Sequence, residues 1–180
     1  MNDHLAHKKN EYEQVSGLFT TYNDFASLLD SLHHLGFQQD DINVLMSEST
    51  HHQYFAPQES NKAPEGASLG GISGGLLGII IGGLTLAGNI ILPGTGLLVA
   101  GPLVGALSLG AVGATAGGLI GGLVGMGMPE HEAKFFEDSL KERGQILLVV
   151  HVPKARVSEI KALFERFNAS RLKIHTCAVP

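Results

Sequence analysis

Histidine occurs nine times in the 180 residues, and two pairs, His33-His34 and His51-His52, set imidazoles side by side. Imidazole is a common metal ligand and the one side chain that ordinarily titrates near neutral pH. A helical metal clamp needs two ligands four residues apart, completed by a carboxylate or thiolate at ligand spacing. Neighbouring helix residues point about 100° apart, so His33-His34 does not form that clamp. His51-His52 falls in a polar stretch that reads as a loop. His151 and His175 take strand positions, where a place at the surface or on a sheet face is ordinary. No metal site is expected.

Other chemistry is equally sparse. Ser31 and Ser47 lack the glycine context of a nucleophile elbow, and Asp40-Asp41 reads as a turn rather than an acid/base pair. Gly66 to Gly75 carries GxxxG steps but not the Lys-Ser or Lys-Thr ending of a phosphate loop. The single cysteine, Cys177, permits neither an internal disulfide nor a multi-cysteine metal site. A net charge of −5 gives no basic face for phosphates, so nucleic acid is set aside as a partner. The sequence therefore predicts no enzyme and no cofactor.

What it offers instead is glycine. All but Gly17, Gly36 and Gly144 of the 24 glycines lie between Gly66 and Gly127, and from Gly66 to Met128 no Asp, Glu, Lys, Arg or His occurs. Pro93-Gly94-Thr95-Gly96 interrupts this run, dividing it into segments of about 67–91 and 102–127. Each exceeds the roughly 20 residues that cross a bilayer. Glycine costs about 1 kcal/mol in a helix interior in water, whereas hydrocarbon drives any spanning segment to helix. Gly66, Gly70, Gly74, Gly78 and Gly82 then form a small-residue ridge on the first segment. Gly110, Gly118 and Gly122, with Gly113, Gly117, Gly121 and Gly125 beside them, form another on the second. Such rows let helix backbones approach closely. The expectation is a transmembrane hairpin whose zipper faces drive homo-oligomerisation. Lys62 before it and Lys134, Lys141 and Arg143 after it place both termini in the cytoplasm. The first thirty residues, without the apolar core of a secretory signal, agree.

The flanking segments must supply the soluble elements. After a polar tail (1–13), residues 14–47 read as strand, helix, strand. Asn23 or Asp24 caps a helix bearing Phe25, Leu28, Leu29, Leu32 and Leu35, Gly36 stops it, and the apolar run INVLM follows as a buried strand. Residues 48–65 read as a polar linker. In 129–180, Pro129-Glu130 opens a helix, and ILLVVHV is the strongest strand in the chain. A second amphipathic helix with Ile160, Phe164 and Phe167 and an alternating strand complete the order. The fold class predicted is α+β: a ferredoxin-like βαβ-βαβ domain interrupted between its second and third strands by the glycine-rich hairpin of residues 66–128.

Two stretches carry a family resemblance: Gly36-Phe37-Gln38-Gln39-Asp40-Asp41-Ile42, and GMGMPEHEAKFFEDSLKERGQILLVVHV after the glycine-rich insert. In these the chain, over most of residues 14 to 168, resembles the bacterial general-stress, or heat-induced stress, proteins. The resemblance implies a stress-associated membrane protein and transfers no catalytic residue. The function expected is that of a non-enzymatic bacterial inner-membrane protein with itself and the lipid bilayer as partners. Three alternatives stand beside it: a small pore lined by Ser68, Ser73, Thr85, Ser108 and Thr115, a water-soluble oligomer with the hairpin buried between subunits, and a ligand-sensing module.

Overall fold

The computed structural model describes residues 12–60, 90–92, 96–102, 114–125 and 128–176. Its backbone is a mixed α+β arrangement around one antiparallel sheet. Strand β1 (Tyr12–Phe19) is followed by helix α1 (Tyr22–His34), a 3-10 turn (Gln39–Asp41) and β2 (Ile42–Ser47). Helix α2 (Glu48–Ser60), strands β3 (Ile90–Leu92) and β4 (Leu97–Ala100) and helix α3 (Ala114–Gly125) come next. Then follow α4 (Glu130–Arg143), β5 (Ile146–Pro153), a 3-10 turn (Lys154–Arg156), α5 (Val157–Arg166) and β6 (Ser170–Thr176). The six strands lie in the order β3-β4-β2-β5-β1-β6, every neighbouring pair antiparallel.

Local chemistry sets the helix ends. Thr21, rather than Asn23 or Asp24, caps α1: its hydroxyl accepts the Asp24 amide at 3.4 Å. Gly36 (φ +87°) and Gly144 (φ +61°) take the left-handed conformation that closes α1 and α4. Residues 48–60, expected as a linker, are helical.

Both faces of the sheet are buried. On one, Val15, Phe19, Ile42, Val44, Met46, Leu148 and Val150 pack under Phe25, Leu28, Leu29 and Leu32 of α1 and Ile160 and Phe164 of α5. On the other, Leu18, Leu45, Leu97, Val99, Leu147 and Val149 pack under Leu119 and Leu123 of α3 and Ala133, Phe136 and Leu140 of α4. Alternation along each strand sends successive residues to opposite cores. The continuous apolar runs of β2 and β5 follow from this, since a strand covered on both faces needs no polar side.

The same reasoning overturns the transmembrane hairpin. Ile90 and Ile91, expected at the end of the first span, instead form a strand with Leu92: the three pair with Val99, Leu98 and Leu97, and β4 in turn pairs with β2. Helix α3 has 12 residues, about 18 Å of rise against a hydrocarbon layer of about 30 Å. Among the described residues no helix is long and apolar enough to cross a membrane. The expected membrane spans, and the inner-membrane placement built on them, are therefore corrected. The uncharged run misled because burial between a sheet and its covering helices selects the same composition as lipid does. Leu97, Leu98, Val99 and Ala100 are all buried, with alternate residues in opposite cores.

Candidate functional site: the seam between α4 and β6

The face of the sheet beneath α4 turns polar toward one end. Gln14, in β1, stands in register with His151 of β5 on one side and His175 of β6 on the other. One step along the same face, Ser16 is paired with Val149 and Lys173, and Val149 with Asn43. Gln14, Ser16 and Asn43 are buried. Strand alternation makes this set: Gln14 and Ser16 share the parity of Leu18, and His151 that of Leu147 and Val149.

Helix α4 brings a carboxylate to this floor. Glu132 accepts a hydrogen bond from Lys173 Nζ at 2.6 Å through one oxygen, and His175 Nε2 lies 3.1 Å from the other. The Glu132 and His175 side chains are only 14% and 12% exposed, so the pair is largely shielded from water, while Lys173 reaches solvent. Burial pushes the Glu132 carboxyl up, but the Lys173 hydrogen bond and the charges of Lys173, His175 and His131 outweigh it and hold the group below its ordinary value. At His151 burial favours the neutral ring and lowers its pKa, opposed by the charge of Asp41. The Gln14 amide nitrogen lies 3.3 Å from His151 Nε2. Further along the seam Phe135 of α4 meets Arg171 of β6, whose guanidinium carbon is 4.5 Å from the ring centroid. The seam thus carries fixed charge pairs at one end and cationic groups on an aromatic ring at the other.

The residues singled out by sequence are scattered elsewhere. His33 and His34 are exposed at the end of α1, where His34 Nδ1 lies 2.8 Å from the Asp30 carbonyl. His51 and His52 lie on α2, not in a loop, with His51 buried. Among the described residues no group of three or more His, Cys, Asp or Glu side chains is arranged to hold a metal ion. Gly66, Gly70, Gly74, Gly78, Gly82, Gly110 and Gly113 lie outside the described residues. Gly117, Gly118, Gly121, Gly122 and Gly125 lie on α3. There Leu119 and Leu123 turn into the core, while Gly121, Val124 and Gly125 are exposed. A side-chain carbon added at Gly121 or Gly125 would meet no described atom within 4 Å.

His175 takes the strand position expected of it, but its meeting with Glu132 and Lys173 escaped sequence reasoning because it depends on tertiary pairing across more than 40 positions. The available signal was parity: a glutamine and a histidine on the inward side of two apolar strands. No family model, no curated protein and no solved structure matches the chain.

Proposed function

We propose that the chain is a non-enzymatic, stress-associated protein that homo-oligomerises through its glycine-rich insert, carried on a ferredoxin-like domain. The order β2-β5-β1-β6, with α1 and α5 over one face, supports the ferredoxin-like plan. The GFQQDDI and GMGMPEHEAKFFEDSLKERGQILLVVHV motifs support the stress association.

One observation carries the oligomer: the outward side of α3. This uncharged helix presents Gly121, Val124 (41% exposed) and Gly125 away from its own core. Each interior glycine weakens a helix by about 1 kcal/mol relative to alanine. At Gly121, inside α3, no described contact offsets that cost. Close approach of the same helix from a second copy does, because a surface without Cβ atoms lets two backbones pack at short range, with Val124 as the apolar contact.

Sedimentation of the full chain tests this, with Gly121→Leu/Gly125→Leu as the comparison. The expected result is a multimeric wild type and a variant of lower mass whose melting temperature is not reduced at the monomer level. A monomeric wild type sinks the proposal. So does a variant that keeps its mass while losing stability, since the face would then be covered from within the same chain.

A further inference from the structure

Arg143 and Arg171 reach one aromatic ring from two different elements. The guanidinium carbon of Arg171 lies 4.5 Å from the centroid of Phe135 and that of Arg143 5.8 Å. Both arginines are exposed, while Phe135 is half-buried against the core beneath α4 and so gives them a fixed anchor. The backbone is bent to make this arrangement. Arg171 has φ +53°, in the left-handed region that non-glycine residues seldom occupy, where the β1–β6 register shifts between Ser16 and Leu18. Bulges of this kind re-aim a side chain, and local strain of this kind persists where the surroundings impose it.

The charge gathered there is unanswered. Lys141, Arg156, Lys161 and Lys173 each face a carboxylate, whereas among the described residues Arg143 and Arg171, like Lys134, Lys154 and Arg166, form no ion pair. Asp138 and Glu142 of α4 are exposed and form an ion pair with neither. At the other end of the seam Glu132 already offsets Lys173. Neither guanidinium at Phe135 is thus met by a direct ion pair, and both remain ionised at any physiological pH.

We infer that Arg143 and Arg171, steadied on Phe135, form an oxyanion site for the phosphate group of a small phosphorylated molecule. Two guanidinium forks present paired N–H donors of the spacing that phosphate oxygens accept. A phosphomonoester, carrying between one and two negative charges near neutral pH, offsets two cations where a carboxylate offsets one.

The test is calorimetric titration of the full chain with inorganic phosphate and, separately, with glycerol 3-phosphate, at constant ionic strength set with sodium chloride. Saturable binding in the millimolar range or tighter is expected, weakened about tenfold or more in Arg171→Gln and in Arg143→Gln. Lys161→Gln, on α5, is expected to bind as the wild type does. Tighter binding of glycerol 3-phosphate than of phosphate supports an organic phosphate as occupant, and equal binding supports phosphate itself. Failure of the wild type to bind either probe overturns the inference without reference to any variant. So does undiminished binding by folded Arg143→Gln/Arg171→Gln.

Discussion

The Gln14 side-chain amide lies 3.3 Å from the His151 imidazole across the β1–β5 pair, on a sheet face that is otherwise leucine and valine toward its other end. A ring held in this way is preferred neutral, since burial lowers its pKa more than Asp41 raises it. In the unfolded chain the same ring titrates at about 6.5. Above that pH neither state binds the proton and stability is at its full value. As pH falls below it the unfolded chain takes up a proton that the folded chain resists, so stability declines until the lowered folded pKa is passed. Urea unfolding between pH 8 and pH 5 is expected to show this decline, and His151→Gln, which keeps a polar partner for Gln14 but does not titrate, is expected to flatten it. An unchanged pH profile in the variant would place the titration elsewhere.

Glu132 acts with the same sign in a lower window. Its folded pKa is held below the unfolded value of about 4.3, so its contribution is complete above that pH and lost as pH falls through the folded value. Glu132→Gln removes the charge that faces Lys173 and His175 with little change in shape. Charge-assisted hydrogen bonds contribute about 1.5–3 kcal/mol, and the solvent exposure of Lys173 puts the expected loss nearer ~1–2 kcal/mol. Comparing urea midpoints at pH 7 and at pH 3 checks both statements, for the gap between wild type and variant should narrow at the lower pH.

Sequence made the first core legible and, of the second, only the α4 stripe of Ala133, Phe136 and Leu140 and the strand beneath it, for a physical reason. Phe25, Leu28, Leu29 and Leu32 recur at helical spacing because α1 buries a single stripe, and INVLM and ILLVVHV stand out between turn residues. Helix α2 offers no such stripe, its polar residues running through both sides and Pro57 falling within it. In β4 the four residues Leu97 to Ala100 are apolar because both faces are covered, and next to glycine-rich neighbours they are indistinguishable from part of a membrane span. The seam was hidden more deeply. Gln14 lies 137 positions from His151, and nothing local to either residue shows that β1 brings His151 and His175 to its two sides.

Glycines inside and outside the insert differ in what they cost to replace. Gly36 has φ +87° with open space where a Cβ would go, so Gly36→Ala is expected to cost only the left-handed strain, about 1–2 kcal/mol. At Gly101, φ is +104° and an added Cβ would stand 2.2 Å from the Ile42 carbonyl oxygen. That atom belongs to the main chain of β2 and cannot swing aside. Gly101→Ala is expected to cost about 3 kcal/mol or more, from strain and overpacking together. Equal losses in the two variants, measured by thermal unfolding, would contradict the close approach of residue 101 to β2.

Leu147 and Leu148 give the sharpest test of the two-sided sheet. They are consecutive residues of β5, both fully buried, yet Leu148 points to α1 and α5 and Leu147 to α3 and α4. Truncating a buried leucine to alanine costs about 2–5 kcal/mol, through the lost transfer energy and the cavity left behind. Were α3 and α4 not docked on the sheet, Leu147 would face an open surface, and Leu147→Ala would change stability by a few tenths of a kcal/mol, roughly the scale of surface substitutions. With α3 and α4 in place, Leu147→Ala and Leu148→Ala should both lower the urea midpoint substantially. The two sites share a backbone but no cavity, so the double variant should lose close to the sum of the single losses, departing from it only through their adjacency. A large loss at Leu148 with almost none at Leu147 would remove the second core from this fold and, with it, the α3 surface on which self-association is proposed.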